Sequence, residues 1–304
     1  MSKNHKTLLC IIGPTAIGKT SLSISIARNF NTEILSCDSR QFFKELKIGT
    51  AMPTQEELAS VPHHFIGNIS IKQEYSVGDF EKEAIAKIDH LFSKYDVLVM
   101  VGGSGLYEKA VTEGLDTFPE VTPVIKSGLI KELQEKGIEF LQKRLLEADE
   151  EYYHQVDIHN PVRIIRALGV YEVSGKPYSY FRKNKKKTRN FEYLKVGLTA
   201  PREIIYSRIN LRVDKMMEEG LLEEVKSLYP YRSQNALQTV GYKELFDYLD
   251  GKISLDFAVE EIKKNTRRYA KRQLTWYRRD AHVHWFDYQN TNQIVDFISK
   301  EIKY

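Results

Sequence analysis

Short apolar runs alternate with longer segments of helical spacing along most of the chain. The runs cover residues 8–12, 33–37, 96–101, 194–199 and 282–286. Such runs are typical of strands buried inside a parallel sheet. Between two of them, Phe80, Ala84 and Ile88 recur at the spacing of one helix face. The alternation predicts an α/β fold in which helices flank a parallel sheet.

The strand pattern stops in the middle of the chain. Residues 124–136, 138–147 and 161–174 have helical spacing, and Gly175 and Pro177 end the last of these segments. We therefore interpret residues 115–192 as an all-helical insertion. It would interrupt a core made of residues 1–114 and 193–304.

Residues 13–20, which we call the phosphate loop, fit the pattern G-x-x-x-x-G-K-[ST]. An apolar run precedes the loop and a helical pattern follows it. In this context glycine lets the backbone wrap a phosphate group at a helix N-terminus. Lys19 would add a positive charge, and the Thr20 hydroxyl would bind Mg²⁺. The loop predicts a ligand that carries phosphate.

Two further stretches follow predicted strands. Asp38 comes after the second run, where an open parallel sheet has its ligand crevice. A cap or turn aspartate is the alternative interpretation. The strand at residues 96–101 ends in Gly102-Gly103-Ser104-Gly105, without the magnesium-binding aspartate that phosphate-loop hydrolases often have there. This argues against an ATP-hydrolysing motor or switch. It predicts a backbone close to a ligand, with one hydroxyl from Ser104.

Basic residues form three groups. Arg208 and Arg212 lie four residues apart on a predicted helix and could clamp a polyphosphate, or form surface ion pairs. Residues 262–279 contain no acid, and aromatic residues lie among the basic ones, as nucleic-acid phosphates and unstacked bases require. The stripe would consist of Lys264, Arg268, either Lys271 or Arg272, and Arg279. The third group, residues 182–189, is either a nucleic-acid contact or a solvated loop.

Composition narrows the class of protein without identifying it. The 304 residues are 42% hydrophobic and 28% charged, with a net charge of +4, which is ordinary for a soluble globular protein. Cys10 and Cys37, the only cysteines, lie in apolar runs and form no zinc pattern. The adjacent His63 and His64 point different ways and make a poor metal pair. We find no signal sequence or membrane span, and we expect a cytoplasmic protein.

Seven motifs in order resemble the bacterial tRNA dimethylallyltransferases across nearly the whole chain. Besides the phosphate loop, they are Asp38-Ser39, Ile48-Gly49-Thr50-Ala51, Gly102-Gly103-Ser104-Gly105-Leu106-Tyr107, Arg163-Ile164-Ile165-Arg166-Ala167-Leu168, Val240-Gly241-Tyr242 and Lys271-Arg272-Gln273-Leu274-Thr275-Trp276. That family moves a dimethylallyl group from its diphosphate to the exocyclic amine of the adenine 3′-adjacent to the anticodon. Its tRNAs read codons that begin with U.

The resemblance implies a P-loop NTPase-like parallel sheet flanked by helices, with an all-helical insertion domain that contacts the anticodon stem. It also implies Mg²⁺ as cofactor, dimethylallyl diphosphate and the tRNA anticodon stem-loop as partners, and no membrane. We expect a monomer. The phosphate loop would bind diphosphate, and ATP would not be consumed.

Site residues are carried over position by position. Diphosphate binding falls to Gly13, Pro14, Thr15, Ala16, Ile17, Gly18, Lys19, Thr20, Arg208 and Arg212. The catalytic set is Asp38 as general base with Ser104, Lys19, Thr20 and Arg212, and the metal ligands are Thr20 and Asp38. Contacts with tRNA fall to Asp38, Ser39, Arg40, Gln41, Ser104, Lys126, Val162, Arg163, Ile164, Ile165, Arg166, Gln238, Thr239, Val240, Gly241, Tyr242, Lys243, Lys271, Arg272, Gln273, Leu274, Thr275, Trp276, Tyr277 and Arg278.

This sequence departs from the family pattern at three of these positions. Ser104 stands where threonine is usual, so the hydroxyl is kept, and Ile17 replaces the commoner serine of the loop. Lys126 stands where some members have arginine.

Two other functions stay open from the sequence, and a third, an RNA-binding module, is the least favoured. A small-molecule kinase would use the same loop but leaves the basic helix unexplained. A prenyltransferase acting on free adenylate shares the chemistry but has little use for the insertion. An RNA-binding module without catalysis needs neither Lys19 nor Asp38.

Overall fold

The computed structural model describes residues 6–183 and 185–302. Within them lies one sheet of six parallel strands, in the order β3-β2-β4-β1-β5-β6. The strands are β1 (Thr7–Ile12), β2 (Ile34–Ser36), β3 (His63–His64), β4 (Val97–Val101), β5 (Glu192–Thr199) and β6 (Val283–Asp287). The predicted α/β fold is confirmed. The sequence pattern missed β3, because two histidines at the edge of the sheet carry no apolar signal.

Helices occupy most of the remaining chain. They are α1 (Lys19–Asn29), α2 (Gln55–Ser60), α3 (Val77–Leu91), α4 (Gly105–Thr112), α5 (Pro123–Ala148), α6 (Glu150–Gln155), α7 (Pro161–Ser174), α8 (Tyr178–Phe181), α9 (Arg202–Glu218), α10 (Leu221–Leu228), α11 (Tyr242–Leu249), α12 (Leu255–Tyr277) and α13 (Thr291–Glu301). No helix among the described residues is long and apolar enough to cross a membrane.

Strand β1 forms the centre of the sheet, and all of its residues are buried. Leu9 and Ile11 pack into one apolar cluster with residues of α1, α9 and α13, whereas Leu8 and Cys10 pack into a second with residues of α3. Both faces of the sheet are therefore covered by helices. Because the strands are parallel, the loops that follow β1, β2, β4 and β5 gather at one edge of the sheet.

The chain divides into two compact units. The larger combines Met1–Glu113 with Thr188–Tyr304, and the smaller is Gly114–Lys187. The smaller unit is helical, with its own apolar core, and a kink at Gly137, where φ is 80°, interrupts α5.

The insertion predicted at residues 115–192 ends earlier in the structure, at Lys187. Arg189 pairs with Glu81 at 2.9 Å and donates hydrogen bonds to the carbonyls of Val111 and Ala110. These contacts fix the end of the basic run to the larger unit, so Arg189 is not part of a solvated loop. Asn184, in the same run, lies outside the described residues.

A buried ion cluster ties two helices to the sheet. The Lys195 ammonium, on β5, lies 2.9 Å from Glu108 of α4 and 2.8 Å from Asp280, which follows α12. Burial raises the pKa of Glu108. For Lys195, burial opposes the charge, but Glu108 and Asp280 outweigh it and raise the pKa. The cluster therefore fixes α4 and the end of α12 relative to β5.

We predict that Glu108→Gln lowers the free energy of unfolding by about 3 kcal/mol, because it leaves a buried ammonium with an incomplete set of counter-charges. Urea unfolding would measure this loss. The matched control is Glu223→Gln, since Glu223 pairs with Lys226 at the surface, where a substitution changes stability by about 0.5 kcal/mol or less. Equal stability of the two variants would contradict the prediction.

Candidate active site

The phosphate loop passes close beneath β5 before it enters α1. Gly13 has φ of 142°, and a Cβ atom at this position would lie 2.7 Å from the carbonyl oxygen of Leu198. Gly18 has φ of 107° and caps the N-terminus of α1. At position 13, only glycine combines this positive φ angle with so close an approach to the backbone of Leu198. The result is a loop that ends at a helix N-terminus, where free backbone N–H groups attract anions.

Three cationic side chains surround this loop. The Lys19 ammonium donates a hydrogen bond to the carbonyl of Pro14 at 2.7 Å. Arg212 donates to the hydroxyl of Thr15 at 3.3 Å, and Arg208 donates to the carbonyl of Ala16 at 2.7 Å. The two arginines of α9 thus face the loop, rather than forming the surface ion pairs that their spacing also allowed.

This concentration of positive charge shifts the protonation of the lysine. Burial, and then the neighbouring Arg212 guanidinium, lower the pKa of Lys19 to about 8, although Asp38 acts in the opposite direction. Burial and Arg208 also lower the pKa of Arg212. The cations repel one another, and a bound polyanion would relieve that repulsion.

Asp38 follows β2 at the same edge of the sheet. Its Oδ1 accepts the backbone N–H of Arg40 at 3.0 Å, as expected of a turn aspartate. Asp38 also lines two cavities.

The first of these, the phosphate-loop cavity, has a volume of about 620 Å³ and is lined by the whole of residues 15–20. The second, the helix cavity, has a volume of about 710 Å³ and runs along α12. The residues that line both are Thr15, Asp38, Thr50, Ala51, Arg212, Met216 and Tyr269. Asp38 therefore lies where the two cavities meet.

Hydroxyl groups stand beside Asp38. Ser104 accepts the backbone N–H of Ser39 at 3.1 Å and donates to the Ser39 hydroxyl at 3.1 Å. The hydroxyl of Tyr269 shares a further hydrogen bond with Ser104. Burial, reinforced by Asp38, raises the pKa of Tyr269 to about 12, so this phenol stays protonated. The sequence reasoning used Tyr269 only as one aromatic residue of a basic helix.

The glycines that follow β4 make room for protein side chains. A Cβ atom would lie 2.5 Å from the Cys37 sulfur at Gly102, 2.1 Å from Gln273 at Gly103 and 2.2 Å from the Trp276 ring at Gly105. Close approach of a ligand to this backbone stays a prediction, and Gly102 does line the phosphate-loop cavity. Side chains of α12 and of the residue before Asp38 occupy the space.

Gln273 ties two loops together. Its Oε1 accepts the backbone N–H of Thr15 at 2.8 Å, and its Nε2 donates to the carbonyl of Gly103 at 2.9 Å. The side chain is buried, and both the oxygen and the nitrogen of its amide group are engaged in these bonds. Gln273 therefore positions the phosphate loop, and its assignment to tRNA contact is corrected.

Other side chains of the segments assigned to tRNA are also buried. The resemblance assigned every residue of these segments to tRNA contact. A helix packed on the protein exposes only one of its faces, so some of these side chains point inward. Ile164, Tyr242 and Tyr277 lie in apolar clusters and cannot reach a tRNA surface. Leu274 is partly buried against the sheet cluster, and Ile165 against the core of the smaller unit.

Arg40 and Gln41 hold neighbouring loops. Arg40 donates to the carbonyls of Asn235 and Ala236 at 3.0 and 3.1 Å, and Gln41 donates to those of Thr50 and Ala51 at 3.2 and 3.1 Å. Arg40 also lines the helix cavity and Gln41 the phosphate-loop cavity, and contact of either residue with tRNA stays a prediction.

The outward face of the C-terminal half of α12 is basic. From Arg268 onwards, the exposed residues of the helix and those just beyond it are Arg268, Lys271, Arg272, Thr275, Trp276, Arg278 and Arg279, whereas exposed Asp256 and Glu260 lie near its start. Lys264 does not belong to this free surface, because it pairs with Glu261 one turn earlier at 2.5 Å. Contact of this face with nucleic acid stays a prediction.

The remaining positions assigned to tRNA lie on two surfaces. Gln238, Thr239, Val240, Gly241 and Lys243 line the helix cavity. On the smaller unit, Lys126, Val162, Arg163 and Arg166 are exposed. Val162 keeps 74% of its surface exposed and is therefore accessible to a partner.

A magnesium ion fits the donors of the phosphate-loop cavity. Thr20 and Asp38 both line it, and hydroxyl and carboxylate oxygens are ligands that Mg²⁺ prefers, with water and phosphate oxygens completing the shell. No group of three or more His, Cys, Asp or Glu among the described residues is placed to hold a metal. His63 bonds the Val61 carbonyl and His64 bonds Glu33, so they do not act as a pair.

Comparison with known proteins gives a consistent result. A family model described as IPP transferase matches residues 41–280. A tRNA dimethylallyltransferase of Christiangramia forsetii is 59% identical over 97% of this chain and 98% of its own length.

Two solved structures are also similar to this chain. The tRNA isopentenylpyrophosphate transferase of Bacillus halodurans is 36% identical, with a TM-score of 0.74 and coverage of 98% of this chain and 97% of its own. A eukaryotic dimethylallyltransferase acting on tRNA is 27% identical, with a TM-score of 0.80 and coverage of 97% and 77% respectively.

We predict that the affinity for inorganic diphosphate falls as the pH rises through about 8, the pKa of Lys19. Deprotonation removes a positive charge from the loop, so the loss approaches about tenfold for each further pH unit. Calorimetric titration would measure it. Lys19→Arg is the control, because arginine stays charged in this range. If the arginine variant shows the same pH dependence, the effect belongs to the ligand rather than to Lys19.

Proposed function

Because the chain belongs to the IPP transferase family, we propose that it is a tRNA dimethylallyltransferase. It transfers a dimethylallyl group from dimethylallyl diphosphate to the exocyclic amine of the adenine 3′-adjacent to the anticodon, in tRNAs that read codons beginning with U. The observation that carries this proposal is the position of Asp38 between two cavities. One cavity suits a diphosphate, and the other lies along a helix with a basic outer face.

On the donor side, the phosphate loop and its cations hold the diphosphate. Negative charge grows on the diphosphate as its C–O bond breaks. Lys19, Arg212 and the N–H groups at the start of α1 stabilise that charge, because they are in place before the reaction begins. Thr20 and Asp38 would hold Mg²⁺, whose charge counters that of the leaving diphosphate.

On the acceptor side, the adenine must leave the stack of the anticodon loop to reach the helix cavity. Its amine is a weak nucleophile, since the ring delocalises the lone pair. As the new N–C bond forms, the Asp38 carboxylate takes a proton from the nitrogen. The protonated phenol of Tyr269 and the hydroxyl of Ser104 flank this position and orient the amine.

The tRNA itself is held by charge and by exposed side chains. Lys271, Arg272 and Arg278 bind phosphates on one unit, and Lys126 and Arg163 do so on the other. The protein works as a monomer in the cytoplasm, where its substrate is found.

The test is to incubate the protein with labelled dimethylallyl diphosphate and tRNA that lacks the modification. Label should appear in the tRNA at one adenine, with release of one diphosphate for each group transferred and no consumption of ATP. Phosphate transfer from ATP would favour a kinase instead. Labelling of free adenylate but not of tRNA would favour a free-adenylate prenyltransferase.

We predict that Asp38→Asn lowers kcat by about 10²- to 10⁴-fold, the usual contribution of a general base. The amide oxygen of asparagine can still accept the Arg40 N–H, so the turn should persist and the dissociation constant for tRNA should not change. Single-turnover kinetics and filter binding would measure the two quantities. A variant with near-normal turnover would exclude Asp38 as the base.

We predict that Lys271→Ala weakens tRNA binding and reduces the slope of log affinity against log salt by about 0.7 to 0.9, the value for one lost phosphate contact. Selectivity among tRNAs should not change, because phosphates carry no base information. The matched control is Lys82→Ala, an exposed lysine of α3. If both variants keep the parent slope, α12 does not bind phosphates through Lys271.

A further inference from the structure

Residues 47–51 form a loop that is held by a single carboxylate. Oε2 of Glu224, on α10, accepts the backbone N–H groups of Lys47 at 3.0 Å and Ile48 at 2.8 Å. Its Oε1 accepts the N–H of Gly49 at 3.0 Å. Three successive N–H groups that would otherwise need other partners are therefore satisfied by one side chain.

The same carboxylate joins this loop to α11. The hydroxyl of Tyr242 donates to Oε1 of Glu224 at 2.7 Å. The tyrosine ring lies flush against the loop, since a Cβ atom on Gly49 would come within 2.6 Å of it. Burial raises the pKa of Tyr242, so the phenol remains a hydrogen-bond donor. The assignment of Tyr242 to tRNA contact is thus replaced by a contact inside the protein.

The held loop forms part of both cavities. Thr50 and Ala51 line the phosphate-loop cavity and the helix cavity. Ala51 has φ of 48°, a left-handed conformation that a residue with a side chain keeps only where its surroundings enforce it. Gln41 donates to the carbonyls of Thr50 and Ala51, and the Ala51 N–H donates to the carbonyl of Ile48, whose own N–H is bound by Glu224.

The segment before Tyr242, the other residue bound by Glu224, lines the helix cavity as well. Residues 238–241 lie directly before Tyr242 and line that cavity. One carboxylate therefore fixes two walls, the 47–51 loop and the start of α11, at a set separation. The adenine would have to enter between residues of these walls to reach Asp38.

We propose that Glu224 is a positioning residue for the transfer reaction, acting through the 47–51 loop and Tyr242; this inference rests on the proposed function. Its carboxylate accepts four hydrogen bonds on two oxygens and donates none. Glutamine has the same shape, but its amide group would present N–H groups to backbone N–H groups. Glu224→Gln therefore moves the loop with little loss of apolar packing.

The experiment compares Glu224→Gln with Glu223→Gln, the same change at the neighbouring exposed residue of α10, which faces Lys226. We expect Glu224→Gln to lower kcat by about 100-fold, the scale reported for a misplacement of about 1 Å. The affinity for dimethylallyl diphosphate should fall far less than kcat, because the 47–51 loop lines part of the phosphate-loop cavity but the phosphate loop and its arginines are untouched. Glu223→Gln should match the parent in both measurements.

Tyr242→Phe is the second variant, and it removes only the phenol oxygen. It should lower kcat in the same direction, and the double variant Glu224→Gln/Tyr242→Phe should lose less than the product of the two separate effects, because both act through one hydrogen bond. Multiplicative effects would overturn the proposed link between the two residues.

Circular dichroism would report the folded fraction of each variant. A loss of transfer that disappears when the rate is divided by the folded fraction would mean that Glu224 is merely structural, and it would overturn the inference. So would a parent-like kcat for Glu224→Gln. Failure of the parent protein itself to modify tRNA would instead overturn the proposed function, and this inference with it.

Discussion

The two hydrogen bonds of Gln273 fix the geometry on which the candidate site depends. They join the phosphate loop at Thr15 to the loop after β4 at Gly103, and they start from a helix whose outer face is basic. The bonds are possible only because Gly103 has no side chain. One helix, α12, therefore presents cations to solvent on one face and sets the position of the phosphate loop with the other.

Electrostatics give the site its preference for a charged donor. Lys19, Arg208 and Arg212 crowd around one loop, and Asp38 is the acid whose charge bears on both Lys19 and Arg212. Asp38, with a smaller effect of Glu57 on Arg212, does not cancel the repulsion among three cations, so the site favours a ligand with several negative charges. Asp38 nevertheless lowers the repulsion at the point where the two cavities meet. In the proposed reaction, a leaving diphosphate and a base for the attacking amine would then be neighbours, which is the arrangement that alkyl transfer to an amine requires.

Much of this could be predicted from local sequence. The apolar runs gave the parallel sheet, and the spacing of glycine, lysine and threonine gave the phosphate loop, because both signals are local. Contacts between segments that are distant in the chain cannot be predicted from such local patterns. Nothing near Glu224 indicates that its carboxylate caps a loop far away in the chain, and nothing near Gly103 indicates that Gln273 fills the space above it. The resemblance likewise assigned whole segments to tRNA contact, although Tyr242 and Tyr277 within them are buried.

The central claim is that donor and acceptor occupy different cavities that meet at Asp38. The most direct measurement is the affinity of Asp38→Asn for dimethylallyl diphosphate, with and without saturating tRNA, since this variant should bind both without reacting. Simultaneous binding, with one donor and one tRNA on each protein, is the result expected from two cavities. Competitive displacement of the donor by tRNA would contradict the account, because it would place both substrates in one cavity.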